Sequence, residues 1–177
     1  GMPLRDGLAF VHSALTGAGL RDRIRIGASG KIVTAFDMAR AMALGADWCN
    51  AARGFMFAVG CIQAQSCHTG ACPTGVATQD PLRQRAIVVP DKAERVASFH
   101  RNTLHALAEL VAAAGLSHPS DLRPHHFLRR ASSDKVISLA EQYEQLASGQ
   151  LAADPNSSPR FAEAWAHSTA DSFARAG

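Results

Sequence analysis

The sequence contains no run of roughly eighteen apolar residues, so nothing in it reads as a membrane-spanning helix. It also lacks a block of lysine and arginine. Eighteen basic and fifteen acidic residues are scattered along the 177-residue chain for a formal charge of +3, which argues against nucleic acid and anionic lipid as partners. The N-terminus has neither a basic segment nor an apolar core ahead of a small-residue cleavage site. The expected compartment is therefore the cytoplasm. Cysteine is scarce, at four residues, and in a reducing compartment clustered cysteines are more often metal ligands or redox groups than disulfides. What is present is ordinary globular composition, 47% hydrophobic and 19% charged, with length enough for one core.

Along the chain, Leu4, Leu8, Val11 and Leu15 recur at helical spacing up to Gly17 and Gly19. In "RDRIRIGASG", Ile24 and Ile26 alternate with arginines and stop at glycines, which predicts a short strand and a tight turn. Thr34 suits a helix cap with Asp37 in the first turn, and Met38 and Met42 share a face before Gly45. "ADWCNAA" reads as a second short strand and "GFMFAVGC" as a short buried helix. This is the rhythm of a parallel α/β unit, entered on a helix. Two strands can neither close a barrel nor make a sheet covered on both faces, so the chain is expected to be part of a larger sheet. Farther on, Val96, Phe99, Leu104, Leu107, Leu110, Val111 and Ala114 predict a long helix from Asp91, about 35 Å in length. Beyond Ala131 only weak helical patterns appear, around Leu139–Leu146 and Phe161–Trp165, and a loosely attached tail is expected.

Two constellations carry chemistry. The stretch "GCIQAQSCHTGACPTG" places Cys61, Cys67 and Cys72 within twelve positions. Thiolates are soft ligands, and three of them suit an iron–sulfur cluster. Zinc usually shows paired knuckles or a Cys/His quartet, and His68 is adjacent to Cys67, where both cannot readily reach one ion. On spacing alone the iron–sulfur, zinc and free-thiol readings all stay open; Cys49, in an expected strand, reads as a core residue. The second constellation is "GASGK" at 27–31 and "NAARG" at 50–54, each between a strand and a helix. Glycine lets backbone approach a ligand, and unpaired N–H groups at such turns hold phosphate. Either alone is equally a plain turn. Together they match the phosphate site that many (β/α) barrels build after strands seven and eight.

The whole of "GASGKIVTAFDMARAMALGADWCNAARGFMFAVGCIQAQSCHTGACPTGVATQDPLRQ" resembles the end of the FMN-binding synthase domain of the glutamate synthase large subunit, in particular the stand-alone FMN-binding members of that family, over about Leu4 to Arg130. The resemblance implies the C-terminal part of a (β/α)8 TIM-type barrel, about two βα units, followed by a Cys-rich loop and a helical C-terminal region. It implies strand seven in "IRIGAS" and strand eight in "ADWCNAA". It places the FMN phosphate against Ser29, Gly30, Lys31, Ala52, Arg53 and Gly54, and a three-iron four-sulfur cluster on Cys61, Cys67 and Cys72. In such proteins the imine of 2-oxoglutarate and ammonia is reduced to glutamate. Nothing corresponds to the glutaminase domain or to the barrel's earlier units, and no catalytic residue transfers.

The expected organisation is barrel strands with their helices over 2–60, the cysteine loop over 61–90, the long helix and a short helical turn over 91–130, and the tail over 131–177. Two functions follow as expectations. One is a fragment of an FMN/iron–sulfur oxidoreductase, inactive alone and completed by the missing N-terminal half of the barrel. The other is a non-catalytic binding or assembly module that carries a cluster. In either case open strand edges and the apolar stripe of the long helix lead to a homo-oligomer, most simply a dimer.

Overall fold

The computed structural model describes residues 1–169, 171 and 172. It is mixed α/β, with two two-stranded sheets and many helices. In chain order come α1 (Leu4–Gly17), β1 (Gly27–Ser29), α2 (Ala35–Ala43), β2 (Trp48–Asn50), α3 (Ala52–Val59), α4 (Pro81–Gln84), α5 (Val89–Ala113), β3 (Leu128–Arg130), β4 (Val136–Ser138), α6 (Leu139–Gln142), α7 (Gln150–Ala153) and α8 (Pro159–Ala166). β1 neighbours β2, and β3 pairs antiparallel with β4 in the register Arg129 opposite Ile137. Each of β1 and β2 is followed directly by a helix, the order expected of βα units. Among the described residues no helix is long and apolar enough to cross a membrane.

The chain divides into two compact units. The first comprises 1–28, 43–48 and 123–177. Its centre is α1, where Ala9, Ser13 and Gly17 recur every four residues on one buried face. Described residues of the segment beyond Ala131, expected as a loosely attached tail, lie against that helix, and the rest of that expectation, at 170 and 173–177, falls outside the described residues. The Ser13 hydroxyl donates to the Glu144 carbonyl at 2.9 Å, and the Tyr143 hydroxyl donates to Asp6 Oδ1 at 2.9 Å. Phe161 stacks on Phe10 with ring centroids 4.9 Å apart. Leu139, Tyr143, Leu151 and Phe161 are all buried. Gly17 is required by this packing, since a Cβ there would stand 2.6 Å from Leu151 Cγ.

The first strand begins later than the alternation of Ile24 and Ile26 suggests. Arg21–Arg23 form a turn of 3-10 helix, and residues 24–26 are tied down by side chains before the strand begins. Arg21 donates from Nη1 to the Ile24 carbonyl at 2.8 Å, from Nη2 to the Gly45 carbonyl at 2.8 Å and to Asp47 Oδ2 at 2.9 Å, and from Nε to His12 Nδ1 at 3.0 Å. Asp47 Oδ2 also accepts from the Ile26 N–H at 2.6 Å. A side chain thus takes the donor that a longer strand would use.

Burial, and next to it the Arg21 guanidinium, lower the His12 pKa below its ordinary 6.5; Asp47 pulls upward and Arg123 adds to the lowering. Because the unfolded chain takes up this proton more readily than the folded one, stability is full above pH 6.5 and declines as pH falls through that value. Urea denaturation at pH 7.5 and pH 5.5 should give a lower midpoint at the acid pH, and His12→Gln should flatten the difference. An acid-insensitive midpoint in the wild type would refute this. Burial alone would raise the Asp47 carboxyl, but the Ile26 N–H and the two arginines Arg21 and Arg25 outweigh it and hold the carboxyl low, so its contribution fades only at still lower pH.

The second unit comprises 29–42 and 49–122. α2 starts as its sequence predicts: the Thr34 hydroxyl accepts from the Asp37 N–H at 3.1 Å while Asp37 Oδ2 accepts from the Thr34 N–H at 3.1 Å. α3 packs on α5 through Phe55, edge-on to Phe99 at 5.2 Å between centroids. Of the apolar stripe on α5, Leu107 and Val111 are buried, whereas Leu104 stays exposed.

Candidate functional site

The second unit carries a cleft of about 440 Å³ between turns that the sequence places after its two short strands. At the first turn Ser29 ends β1, and the backbone swings through Gly30 (φ 144°) and Lys31 (φ 54°). Gly30 adopts a conformation that side chains rarely allow. At the second turn Ala51 leads into α3 without a side-chain cap, so no side chain at this N-cap occupies the donors of the first helical turn. Ser29, Gly30, Lys31, Ala52 and Arg53 all line the cleft, together with Gln63 from the cysteine loop. Lys31 and Arg53 are exposed, and neither makes an ion pair among the described residues.

The sixth expected residue, Gly54, is not part of the lining. It is buried in α3, where a Cβ would stand 2.7 Å from Phe99 Cζ. Its missing side chain seats the helix that presents Arg53. The arrangement offers backbone donors, the positive end of a helix dipole and two free cations, which fits the phosphate of a flavin mononucleotide.

Gly60, at φ 123°, terminates α3, and Cys61 follows at once. Cys61 Sγ accepts from the Gln63 N–H at 3.5 Å. Cys67 opens a 3-10 turn and is exposed, whereas Cys72 is buried. Hydrogen bonds from the Thr74 hydroxyl, 3.5 Å from Sγ, and then from the Ala77 and Thr74 N–H groups bring the Cys72 thiol down to about 7. A thiol so placed is ready to ligate as the thiolate. Cys49 differs: burial pushes its thiol up to about 11, and its sulfur donates to the Met38 carbonyl at 3.9 Å. Among the described residues no three His, Cys, Asp or Glu side chains gather closely enough to hold one metal ion. Three thiols on one loop suit a cluster in number and chemistry, since a cluster distributes its thiolates over separate irons.

Sequence reasoning missed the clamp behind this loop. Gly75, at φ 78°, lies so close to the backbone of Arg83 that a Cβ would stand 2.2 Å from the Arg83 carbonyl oxygen. The Thr78 hydroxyl donates to the Gly70 carbonyl and accepts from the Asp80 N–H. Asp80 then caps α4 by accepting from the Leu82 N–H at 2.8 Å, with Pro81 as first helical residue. The Asp-Pro pair was the available signal, as cap followed by first helical residue.

Against known proteins, residues 1–117 match the family model described as a conserved region in glutamate synthase. The chain is 41% identical over 148 residues, 84% of its length, to the glutamate synthase large subunit-like protein YerD of Bacillus subtilis, of which it covers 28%. It is 37% identical over 123 residues, 70% of its length, to the archaeal glutamate synthase (NADPH) of Methanocaldococcus jannaschii, covering 24% of that protein. It is 34% identical over 135 residues, 76% of its length, to the ferredoxin-dependent glutamate synthase of Pyropia yezoensis, covering 9%. The chain thus spans about a quarter of the first two relatives.

Proposed function

This chain belongs to the glutamate synthase family, and on that footing we propose that it is the flavin-phosphate and cluster-holding part of an FMN/iron–sulfur oxidoreductase of glutamate synthase type. In this reading β1 and β2 are the last two strands of a (β/α)8 barrel, with α2 and α3 as their helices. The observation that carries it is the meeting of Ser29, Gly30, Lys31, Ala52 and Arg53 around one cleft with both cations unpaired. Lys31 and Arg53 would neutralise a phosphate dianion, and the amides of the Gly30–Lys31 turn and of the start of α3 would orient it. Bound there, FMN would supply hydride and single-electron chemistry that no side chain provides. Cys61, Cys67 and Cys72 would hold a three-iron four-sulfur cluster, with the Cys72 thiol held low by its Thr74 contact. No residue of this chain is assigned to the 2-oxoacid or to the transfer step, so catalysis is proposed only for a complete barrel, in the cytoplasm.

The test is a pair of measurements on the purified chain. Flavin fluorescence titration should show saturable binding of FMN and much weaker binding of riboflavin, which lacks the phosphate. Anaerobic reconstitution should load iron and sulfide in the wild type and in Cys49→Ser but not in the Ser variants of Cys61, Cys67 or Cys72. Equal affinity for both flavins would remove the phosphate assignment, and loss of iron in Cys49→Ser comparable to the other three would remove the ligand assignment.

A further inference from the structure

Gln63 belongs to two places at once. It lines the phosphate cleft with Lys31 and Arg53, and its main-chain N–H is the hydrogen-bond donor to Cys61 Sγ, at 3.5 Å. Its backbone sits at φ 57°, in the left-handed region. A residue with a Cβ seldom occupies that region unless contacts around it hold it there.

The torsion φ is rotation about the N–Cα bond, so it fixes the direction of the N–H relative to that of the side chain. A ligand that engages Gln63 from the cleft therefore favours the present left-handed backbone, in which this N–H reaches Cys61 Sγ, over extended backbone. In the extended region the N–H and the side chain no longer point as they do now. Cys61 Sγ would then lose its donor.

We infer that Gln63 is a positioning residue that couples occupancy of the cleft by a phosphate-bearing ligand to the exposure of the Cys61 sulfur. This rests on the reading of the cleft as a flavin-phosphate site, and it adds a link between that site and the cysteine loop. Coupling between sites is reciprocal in binding free energy. A cleft filled with FMN holds Cys61 in its present hydrogen bond, and a Cys61 engaged by a metal cluster or modified by alkylation changes the affinity for FMN by the same factor.

The experiment uses the full chain, free of iron, with all four cysteines present. Each cysteine's labelling by iodoacetamide is followed by peptide mass spectrometry with no addition, with saturating FMN and with inorganic phosphate. Saturation by FMN is checked by flavin fluorescence for every variant. FMN and phosphate should each slow labelling of Cys61 about fivefold or more, within the usual range of coupling between sites, and leave Cys49 unchanged. In Gln63→Gly, which keeps the backbone N–H and tolerates the same φ, Cys61 should label at one rate with and without ligand. Protection that persists in Gln63→Gly would mean that the ligand merely shields the sulfur, and would overturn the coupling. Binding of FMN without any change at Cys61 would overturn the coupling alone. Failure of FMN to bind at all would overturn the cleft reading and the coupling with it.

Discussion

Gly45→Ala is expected to destabilise the first unit by about 3 kcal/mol or more, the size of effect reserved for strain combined with a buried clash. Gly45 sits at φ 109°, outside even the left-handed helical region that asparagine or aspartate can enter. A Cβ at this position would stand 2.3 Å from both Cγ and Nδ1 of His12 and 2.7 Å from its Cβ. These are the near atoms of the His12 side chain, so rotating its far end brings no relief. The ring is further fixed by accepting from Arg21 Nε at 3.0 Å, while Arg21 Nη2 holds the Gly45 carbonyl itself at 2.8 Å. One methyl group therefore opposes a backbone torsion, a ring position and the arginine that joins them. Urea denaturation at pH 7.5 should show the loss as a lower midpoint at unchanged slope. In the His12→Ala background the two ring contacts are gone and only the torsional part and the contact with the Cβ of residue 12 should remain, so the same substitution should cost less there. A cost below about 1 kcal/mol in the wild-type background would show that this corner relaxes freely.

The second large effect concerns ligand affinity. Replacing Lys31 and Arg53 together by alanine is expected to weaken FMN binding about a hundredfold and to leave riboflavin binding unchanged. A hydrogen bond to a charged group contributes on the order of 1.5–3 kcal/mol. Two such groups on one phosphate couple to each other, so a combined loss near 3 kcal/mol is the reasonable expectation, and each 1.4 kcal/mol is tenfold in affinity. Both cations are exposed, so the wild-type affinity should also fall with added salt, and the double variant should be less salt-sensitive. Because neither side chain is buried or ion-paired within the described structure, their removal should leave the urea midpoint where it is. A double variant that binds FMN within threefold of the wild type would assign the phosphate to some other place.

These residues also mark what the sequence made legible. The start of α2 could be read because Thr34 and Asp37 bond each other's backbone, a purely local device. The turn at Gly30 could be read because glycine has few rivals in that conformation. Ile24 and Ile26 misled because alternation says nothing about a carboxylate twenty-one positions away, and it is Asp47 that takes the Ile26 N–H. Gly54, expected at the phosphate, lies outside the cleft lining and under Phe99, a packing role that only the fold reveals. The weak patterns around Leu139 and Phe161 are weak because each short helix there buries a single apolar residue, Leu139, Leu151 or Phe161. Their burial comes from assembling several such pieces, which no window of sequence contains.

That assembly has a consequence for how the protein is made. The Ser13–Glu144 bond spans 131 residues and the Tyr143–Asp6 bond spans 137. At about 5–20 residues added per second, α1 leaves the ribosome roughly 6–27 seconds before its covering helices exist. During that interval its buried stripe of Leu8, Ala9 and Ser13 has no native cover, whereas α3 and α5 of the second unit can already meet. The second unit is thus free to close while the first still waits, and a ribosome stalled between Leu122 and Ser138 would hold a chain with one finished half and one adhesive helix.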